Sequence, residues 1–358
     1  MQTIIVAGPV PPPIHGASRV TQAVSDEITH LAKERRCRIH VVSTSGNSTG
    51  AHYHLSRIAA HIQVLLKLFG ASFRGPASLY VGGSGGGGLW YQVAIVAVAR
   101  LLRVRTIFHH HSYSYLHNKQ FISMVAICRL MSRYDVHVFL TPDMLTLFRN
   151  KYHLQQMYGV VSNADFVKPL TCNLEKSLDP FRIVHVSNLS RAKGTSDVID
   201  AFRSLRRNGL SVSLLLVGPV SETDILDQID AARDDYGESI EYIGPRDADG
   251  VMEALDRGHV FAFPSTYVNE AQPMVVLEAL SRGLPVVASK QGSLEHLLPE
   301  DWLIDRRADL AGTIERIINS DWPRLSRDAL DRFRASSATT DIDLLHLVFE
   351  AFGDAAVD

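Results

Sequence analysis

Ten short apolar runs, each leading into a stretch with helical periodicity, constrain the fold of this chain more than any other feature of its sequence. Residues 3–7, 39–43, 78–81, 106–109 and 136–140 are too short for helices and read as buried strands. The alternation pauses over residues 168–180, which hold two prolines among mixed polar residues, and restarts at 182–187, 213–217, 240–243, 260–263 and 285–288. Strand–helix alternation of this kind builds a parallel sheet covered by helices on both faces. The pattern therefore predicts α/β architecture in two doubly wound domains, residues 1–170 and 171–340. It also predicts a final amphipathic helix over 341–352, apolar at Leu344, Leu345, Leu347, Val348 and Phe352. In such sheets ligands bind beyond the carboxyl ends of the strands, so the loops there are searched first.

A chain of 358 residues buries about three quarters of its unfolded surface and needs no staple to fold. Its cysteines, Cys37, Cys128 and Cys172, are odd in number and form no CxxC pair, which argues against a disulfide framework or structural zinc and for a reducing compartment. The opening MQTIIVAGPV reads as a first strand and not as a signal peptide. Residues 89–102 are the best membrane-span candidate, but they include Gln92 and Arg100 and fall short of the necessary length. A cytoplasmic protein is expected.

The net charge of −2 conceals a division. Residues 1–170 hold 17 Lys+Arg against 6 Asp+Glu, whereas residues 171–358 hold 19 against 32. Between Arg35 and Tyr134 there are twelve basic residues and no acid. Such asymmetry points either to an anionic partner, a phospholipid surface or nucleic acid, or to attraction between the two domains.

Several motifs have plain structural explanations. GGSGGGG contains GxGxxG at Gly83, Gly85 and Gly88, but it follows the third strand, and the next strand ends in histidines where a ribose-binding carboxylate should stand. It reads as a flexible loop lining a cleft. Asp247 and Asp249 spell the metal-binding DxD, yet they stand where a helix should begin and where aspartate is favoured as a cap. His109, His110 and His111 end a strand without a carboxylate or cysteine nearby, so they suit hydrogen bonding to a substrate better than metal ligation.

Residues 269–289, NEAQPMVVLEALSRGLPVVAS, are the most informative. Pro273 is a natural first helical residue, which would aim the free N–H groups near Met274 and Val275 at a diphosphate. Glu270 lies just before that helix, and Glu278 lies inside it beside Val276, Leu277, Ala279 and Leu280, too apolar a setting for a solvated carboxylate. Both could face one ligand through its sugar and ribose hydroxyls.

Glu270 and Glu278 form an E-x7-E motif, and their surroundings resemble the donor site of the retaining GT-B glycosyltransferases of family 4. NLSRAKG (188–194) resembles that family's G-R-L-x-x-x-K-G loop, PPPIHGA (11–17) its first glycine-containing loop, and LLLVGP and EYIGPRD its central strands. The resemblance implies two Rossmann-like domains facing across a cleft, with the last helix crossing back onto the first. It implies transfer of a sugar from a UDP- or GDP-sugar to a glycan or polyprenyl-linked acceptor, with retention by front-face substitution, no cofactor, no metal and no nucleic acid.

By that resemblance His111, with His109 as the alternative, and Glu270 contact the transferring sugar. Glu278 holds the ribose, Lys193 neutralises the diphosphate, and Gly16 lets backbone approach it. Arg191, Arg246, Gln272, Pro273, Met274 and Val275 complete the implied donor set. Asn188 stands where the family loop carries arginine, leaving Arg191 to supply that charge or the phosphates less stabilised, and Ala271 replaces a glycine. An epimerase of the same fold and an inactive nucleotide-sugar-binding protein are the competing readings.

Residues 52–69, HYHLSRIAAHIQVLLKLF, place Leu55, Ile58, Ile62, Leu65 and Phe69 at helical spacing among His54, Arg57, His61 and Lys67. A basic amphipathic helix of this kind can lie in an anionic membrane interface, which predicts peripheral attachment at the inner face of the membrane. The alternative is that its apolar face packs on the domain core.

Overall fold

The computed structural model describes residues 2–12, 16–34, 36–46, 51–117, 119–168 and 176–338. The helix expected over 341–352 and residues 13–15 of the first loop lie outside these. The chain divides into two compact units, residues 1–166 with 269–271, and residues 167–268 with 272–338.

In the first unit β1 (Thr3–Gly8), β2 (Arg38–Ser43), β3 (Ala77–Gly83), β4 (Arg105–His110), β5 (Val136–Phe139) and β6 (Met157–Val160) form one parallel sheet in the order β2-β1-β3-β4-β5-β6. Every residue of β1 and β5 is buried, as a sheet covered on both faces requires. The order reverses between β1 and β3, so the loops that follow them flank a topological switch point.

In the second unit β7 (Phe181–Val186), β8 (Val212–Val217), β9 (Ile240–Tyr242), β10 (Val260–Phe263), β11 (Val286–Ser289) and β12 (Leu303–Ile304) run parallel in the order β12-β11-β10-β7-β8-β9. Helix Thr195–Arg207 shows why the pattern folds this way. Val198, Ile199, Phe202 and Leu205 recur at helical spacing and enter the core, while Arg206 and Arg207 occupy the last turn, where cations complement the helix dipole. Each such side chain contributes about 1.5–3 kcal/mol by leaving water.

The ten expected strands are all present, and two more, β6 and β12, were not expected. Both are sheet edges. MYGV is half exposed and carries no apolar run, and the two residues of β12 are too few to show a period. Asp247 caps helix Ala248–Asp256, its Oδ1 accepting from Gly250 N at 2.9 Å, so RDADG begins a helix as expected. Among the described residues no cluster of three or more His, Cys, Asp or Glu side chains is arranged to hold a metal ion, and no helix is long and apolar enough to cross a membrane.

Helix Ala51–Ser72 combines features of both sequence-based alternatives. His61, Val64, Leu68 and Ala71 are buried on its inner side, with Leu65 packed partly against the core. The opposite side, Leu55, Ile58, Ile62, Leu66, Phe69 and then Phe73 just past the helix end, is exposed, at 63% for Leu55, 66% for Leu66 and 85% for Phe73. The helix is thus apolar on two faces. Leu66, and not Leu65, belongs to the outer stripe.

Candidate functional site

The first unit gathers its chemistry at the carboxyl ends of β1, β3 and β4. Gly16 opens helix Gly16–Glu34 and is exposed. Gly83 leads into a short 3-10 turn at Gly86–Gly88, where Gly86 takes a left-handed φ of 58°. The glycine-rich loop is held in place instead of being free: Gln92 Nε2 donates to the Gly82 carbonyl at 2.9 Å, and Gln92 Oε1 accepts from Ser84 N at 3.2 Å. A Cβ on Gly83 would come within 2.7 Å of the His109 carbonyl, so no larger residue fits without displacing backbone.

His109 is fully buried, and its Nδ1 is hydrogen-bonded to the Tyr80 hydroxyl at 2.7 Å. Burial, reinforced by neighbouring His111, holds its pKa well below the usual histidine value. His111, half-buried, has its ring centre 4.1 Å from that of His109, the two planes tilted by 46°. The two rings share one side of the chain, as alternation predicted, but only His111 has surface that a ligand could reach. His110 turns away into a closed network, with Nδ1 2.8 Å from the Tyr115 hydroxyl and Nε2 2.8 Å from His137 Nδ1. Asn269, Glu270 and Ala271 group with this unit, and Ala271 enters its core cluster. Within it, Ser112 Oγ donates to Asn269 Oδ1 at 3.1 Å, so the chain neighbours of His111 and Glu270 are hydrogen-bonded.

The second unit carries the remaining candidates. Helix Met274–Ser281 begins one residue later than expected: Pro273 is its cap, with an extended ψ of 121°, and Met274 is its first helical residue. Val276 and Leu277 N–H groups donate to the Pro273 carbonyl at 3.1 and 3.4 Å. The N–H groups of Met274 and Val275 come before the first helical bond and so point out of the helix start. Glu278 is 1% exposed and Gln272 4%, and Glu270, four residues ahead of the helix, is 9% exposed.

Lys193 lies in the turn before helix Thr195–Arg207, its Nζ 4.8 Å from the Tyr267 ring centre and 5.7 Å from that of Phe263. Gly194 makes this turn possible. Its φ is 78°, and a Cβ there would lie 2.5 Å from the Pro264 carbonyl. Asn188 and Arg246 are exposed. Arg191 is also exposed, but its guanidinium pairs with Asp224 at 2.5 Å and Glu222 at 3.7 Å, so its charge is already engaged.

Two positioning residues escaped the sequence reading. His185, fully buried at the end of β7, is hydrogen-bonded through Nδ1 to the Ala262 carbonyl at 2.8 Å, while Nε2 meets the Ser187 and Thr195 hydroxyls at 2.9 and 3.2 Å. Burial lowers its pKa to about 4, so the ring is neutral: Nδ1–H donates and Nε2 accepts. It thereby ties both ends of the 187–195 loop to β10. Arg307 holds the middle of that loop, its Nη2 donating to the Arg191 and Ala192 carbonyls at 3.0 and 3.2 Å and to Thr266 Oγ1 at 2.7 Å. Its Nη1 pairs with Asp197 at 2.9 Å. The only sequence signal was a histidine inside an apolar strand and an arginine beside a short edge strand.

Comparison with known proteins is consistent with this geometry. Residues 180–320, most of the described second unit, match the family described as Glycosyl transferases group 1. The chain is 26% identical over 154 residues to the sulfoquinovosyl transferase SQD2 of Arabidopsis thaliana, covering 43% of this chain and 26% of that protein. It is 25% identical over 213 residues to one polypeptide of the human phosphatidylinositol N-acetylglucosaminyltransferase, covering 58% of this chain and 42% of that one. The matches thus span between about a quarter and two fifths of these relatives. Among solved structures, Anabaena HepE in complex with UDP superposes with a TM-score of 0.65 at 18% identity, over 99% of this chain and 100% of the other. The two parallel-sheet Rossmann-like domains are those of the GT-B glycosyltransferase fold.

Proposed function

We propose that this chain transfers a hexosyl group from a UDP- or GDP-sugar to a glycan or polyprenyl-linked acceptor, with retention at the anomeric carbon, in polysaccharide or glycoconjugate synthesis. The observation that carries this reading is the pair of carboxylates, Glu270 and Glu278, withdrawn from water around the start of helix Met274–Ser281 in the segment that matches the group 1 family. Carboxylates held this far from bulk water make strong, charge-assisted hydrogen bonds, and the sugar and ribose hydroxyls of a donor are suitable donors to them. The UDP in the HepE structure supports the donor class, and the name of the human relative, which includes phosphatidylinositol, supports a lipid-linked acceptor.

Breaking the anomeric C–O bond leaves an oxocarbenium-like sugar and a diphosphate. The Lys193 ammonium and the Met274 and Val275 N–H groups are fixed positive groups suited to that leaving charge. His111 and Glu270 would contact the sugar, and Glu278 the ribose. The acceptor hydroxyl bonds to the anomeric carbon on the face the diphosphate leaves, and its proton passes to a departing phosphate oxygen. Gly16, Gln272 and Pro273 would line the diphosphate and sugar, with Asn188, Arg191 and Arg246 at the exposed margin.

The test is a panel of UDP- and GDP-sugars, scored by thermal shift and by consumption in excess EDTA, with and without a polyprenyl phosphate acceptor. One donor should raise Tm and be consumed with acceptor in the presence of chelator. Isomerised donor without acceptor would mark an epimerase, and binding without turnover an inactive binder. Activity lost in EDTA, restored by magnesium and abolished by Asp247→Asn with Asp249→Asn would overturn the metal-free reading.

The exposed stripe of helix Ala51–Ser72 supports peripheral attachment to an anionic bilayer, since an apolar row on a helix without acidic residues suits the headgroup boundary. Leu66→Ser with Phe69→Ser should abolish flotation with anionic vesicles, and Arg57→Glu with Lys67→Glu should weaken it more at low than at high salt. Equal recovery of all variants would remove the membrane from the proposal.

A further inference from the structure

The basic residues of the first unit are not concentrated at the carboxyl edge, where the candidate site lies. Arg38 opens β2 and Arg105 opens β4, so both stand at the amino edge of the parallel sheet. Arg74, just past helix Ala51–Ser72, stands there too, since that helix leads into β3. Its charge, with those of Lys67 and Arg38, lies close enough to His40 to help lower the imidazole pKa, behind the larger effect of burial.

At this edge a cavity of about 160 Å³ is lined by Arg100, Arg103, Val104, Arg105, Ser132, Tyr134 and Asp135. It is below the roughly 300–1,000 Å³ of a site for a whole drug-sized ligand. Three of its seven lining residues are arginines, brought together by one turn between helix Leu89–Leu101 and β4. The turn depends on Arg103, whose φ of 56° is left-handed.

The cavity is built and not merely a gap between side chains. The Arg105 guanidinium lies 4.9 Å from the Tyr134 ring centre, with Arg133 on the same ring at 4.6 Å. The one acid in the wall, Asp135, is buried and uses both oxygens on backbone: Oδ1 accepts from Thr106 N at 2.9 Å and Oδ2 from Ser132 N at 2.6 Å. Among the described residues it forms no ion pair with Arg100 or Arg103, although the Arg100 charge lies near enough to offset part of the burial that raises the Asp135 pKa; both guanidinium groups are exposed.

We propose that this cavity is a binding site for a phosphate-type oxyanion, separate from the sugar-transfer site. Guanidinium groups recognise such anions through paired N–H donors, and several arginines around a small recess compensate for its desolvation. The site lies at the other end of β4 from His109 and His110, roughly 16 Å away along the strand. The phosphate could be carried by a lipid headgroup or a soluble molecule. The exposed apolar side chains of Phe73 and Leu101, which end the two helices leading to this edge, favour the headgroup.

The experiment uses the full chain and inorganic phosphate at constant ionic strength. Phosphate should raise Tm in the wild type and equally in Lys193→Ala, which removes the ammonium assigned to the donor diphosphate and so separates this outcome from the sugar-transfer reading. Arg100→Gln with Arg103→Asn should weaken the apparent phosphate Kd about tenfold or more, with Tm in the absence of phosphate nearly unchanged, since both side chains are exposed and Asn tolerates a left-handed φ. Flotation with phosphatidylcholine vesicles, with and without phosphatidic acid, then separates the two sources. Recovery that needs both phosphatidic acid and these arginines assigns a headgroup, and phosphate binding without it assigns a soluble phosphate. No phosphate effect in the wild type, or an equal effect in the double variant, overturns the site.

Discussion

His111→Ala and Glu270→Gln should each lower turnover of bound donor by about 10²–10³-fold with little change in its KM, the size expected when a group that acts chiefly in the transition state is removed. Glu278→Gln should do the reverse, raising donor KM by about 10-fold or more at nearly constant kcat, since a ribose contact binds ground and transition states alike. The geometry supports the choice of His111 over His109. His109 is sealed and hydrogen-bonded to Tyr80, so its replacement should damage folding more than chemistry. Steady-state kinetics of the four variants, with Tm as a control, decide the assignment. Full turnover by His111→Ala would reject it.

The second large effect is on stability in acid. His109, His110, His137 and His185 are fully buried, and burial lowers the pKa of each, to about 3 for His137 and about 4 for His185. When folded, these rings resist protonation, whereas in the unfolded chain they accept protons near pH 6.5. Stability is therefore complete above about pH 6.5 and is lost as pH falls from there toward the folded values. At about 1.4 kcal/mol per pKa unit, His185 alone can account for up to about 3 kcal/mol between pH 6.5 and 4. Asp135 and Asp197, whose carboxyl pKa values burial raises, act in the opposite sense and offset part of this loss. The urea midpoint should fall steeply between pH 7 and 5, and His185→Gln should flatten that slope. A midpoint unchanged over this range would show that the rings are protonated when folded.

How far the sequence could be read depended on the range of the interactions involved. Strands such as β1 and β8 were legible because full burial writes a continuous apolar run into local sequence. The edges β6 and β12 were not, because half-exposed or two-residue strands leave no period. Helix Ala51–Ser72 was legible as a helix, but its sides were not: Leu65 and Leu66 are equally apolar, and only the packing of its neighbours decides which faces water. Glu270 and Glu278 could be found because one lies just before and the other within a single local element. His185 and Arg307 could not, since the groups they hold lie 77 residues away at Ala262 and 116 residues away at Arg191.

The glycine-rich loop gives a different view of the same chain. Gly86 needs its residue type, because its backbone is left-handed, but Gly87 does not: its φ is ordinary, and a Cβ there would meet nothing within 4 Å. In the unfolded chain Gly87 samples more conformations than alanine would, and ordering it costs about 0.4–1 kcal/mol of conformational entropy that alanine would spare. The folded protein alone gives no return for that cost. What glycine leaves at this position is bare backbone on the edge of a switch point, open to closer approach than any side chain would allow.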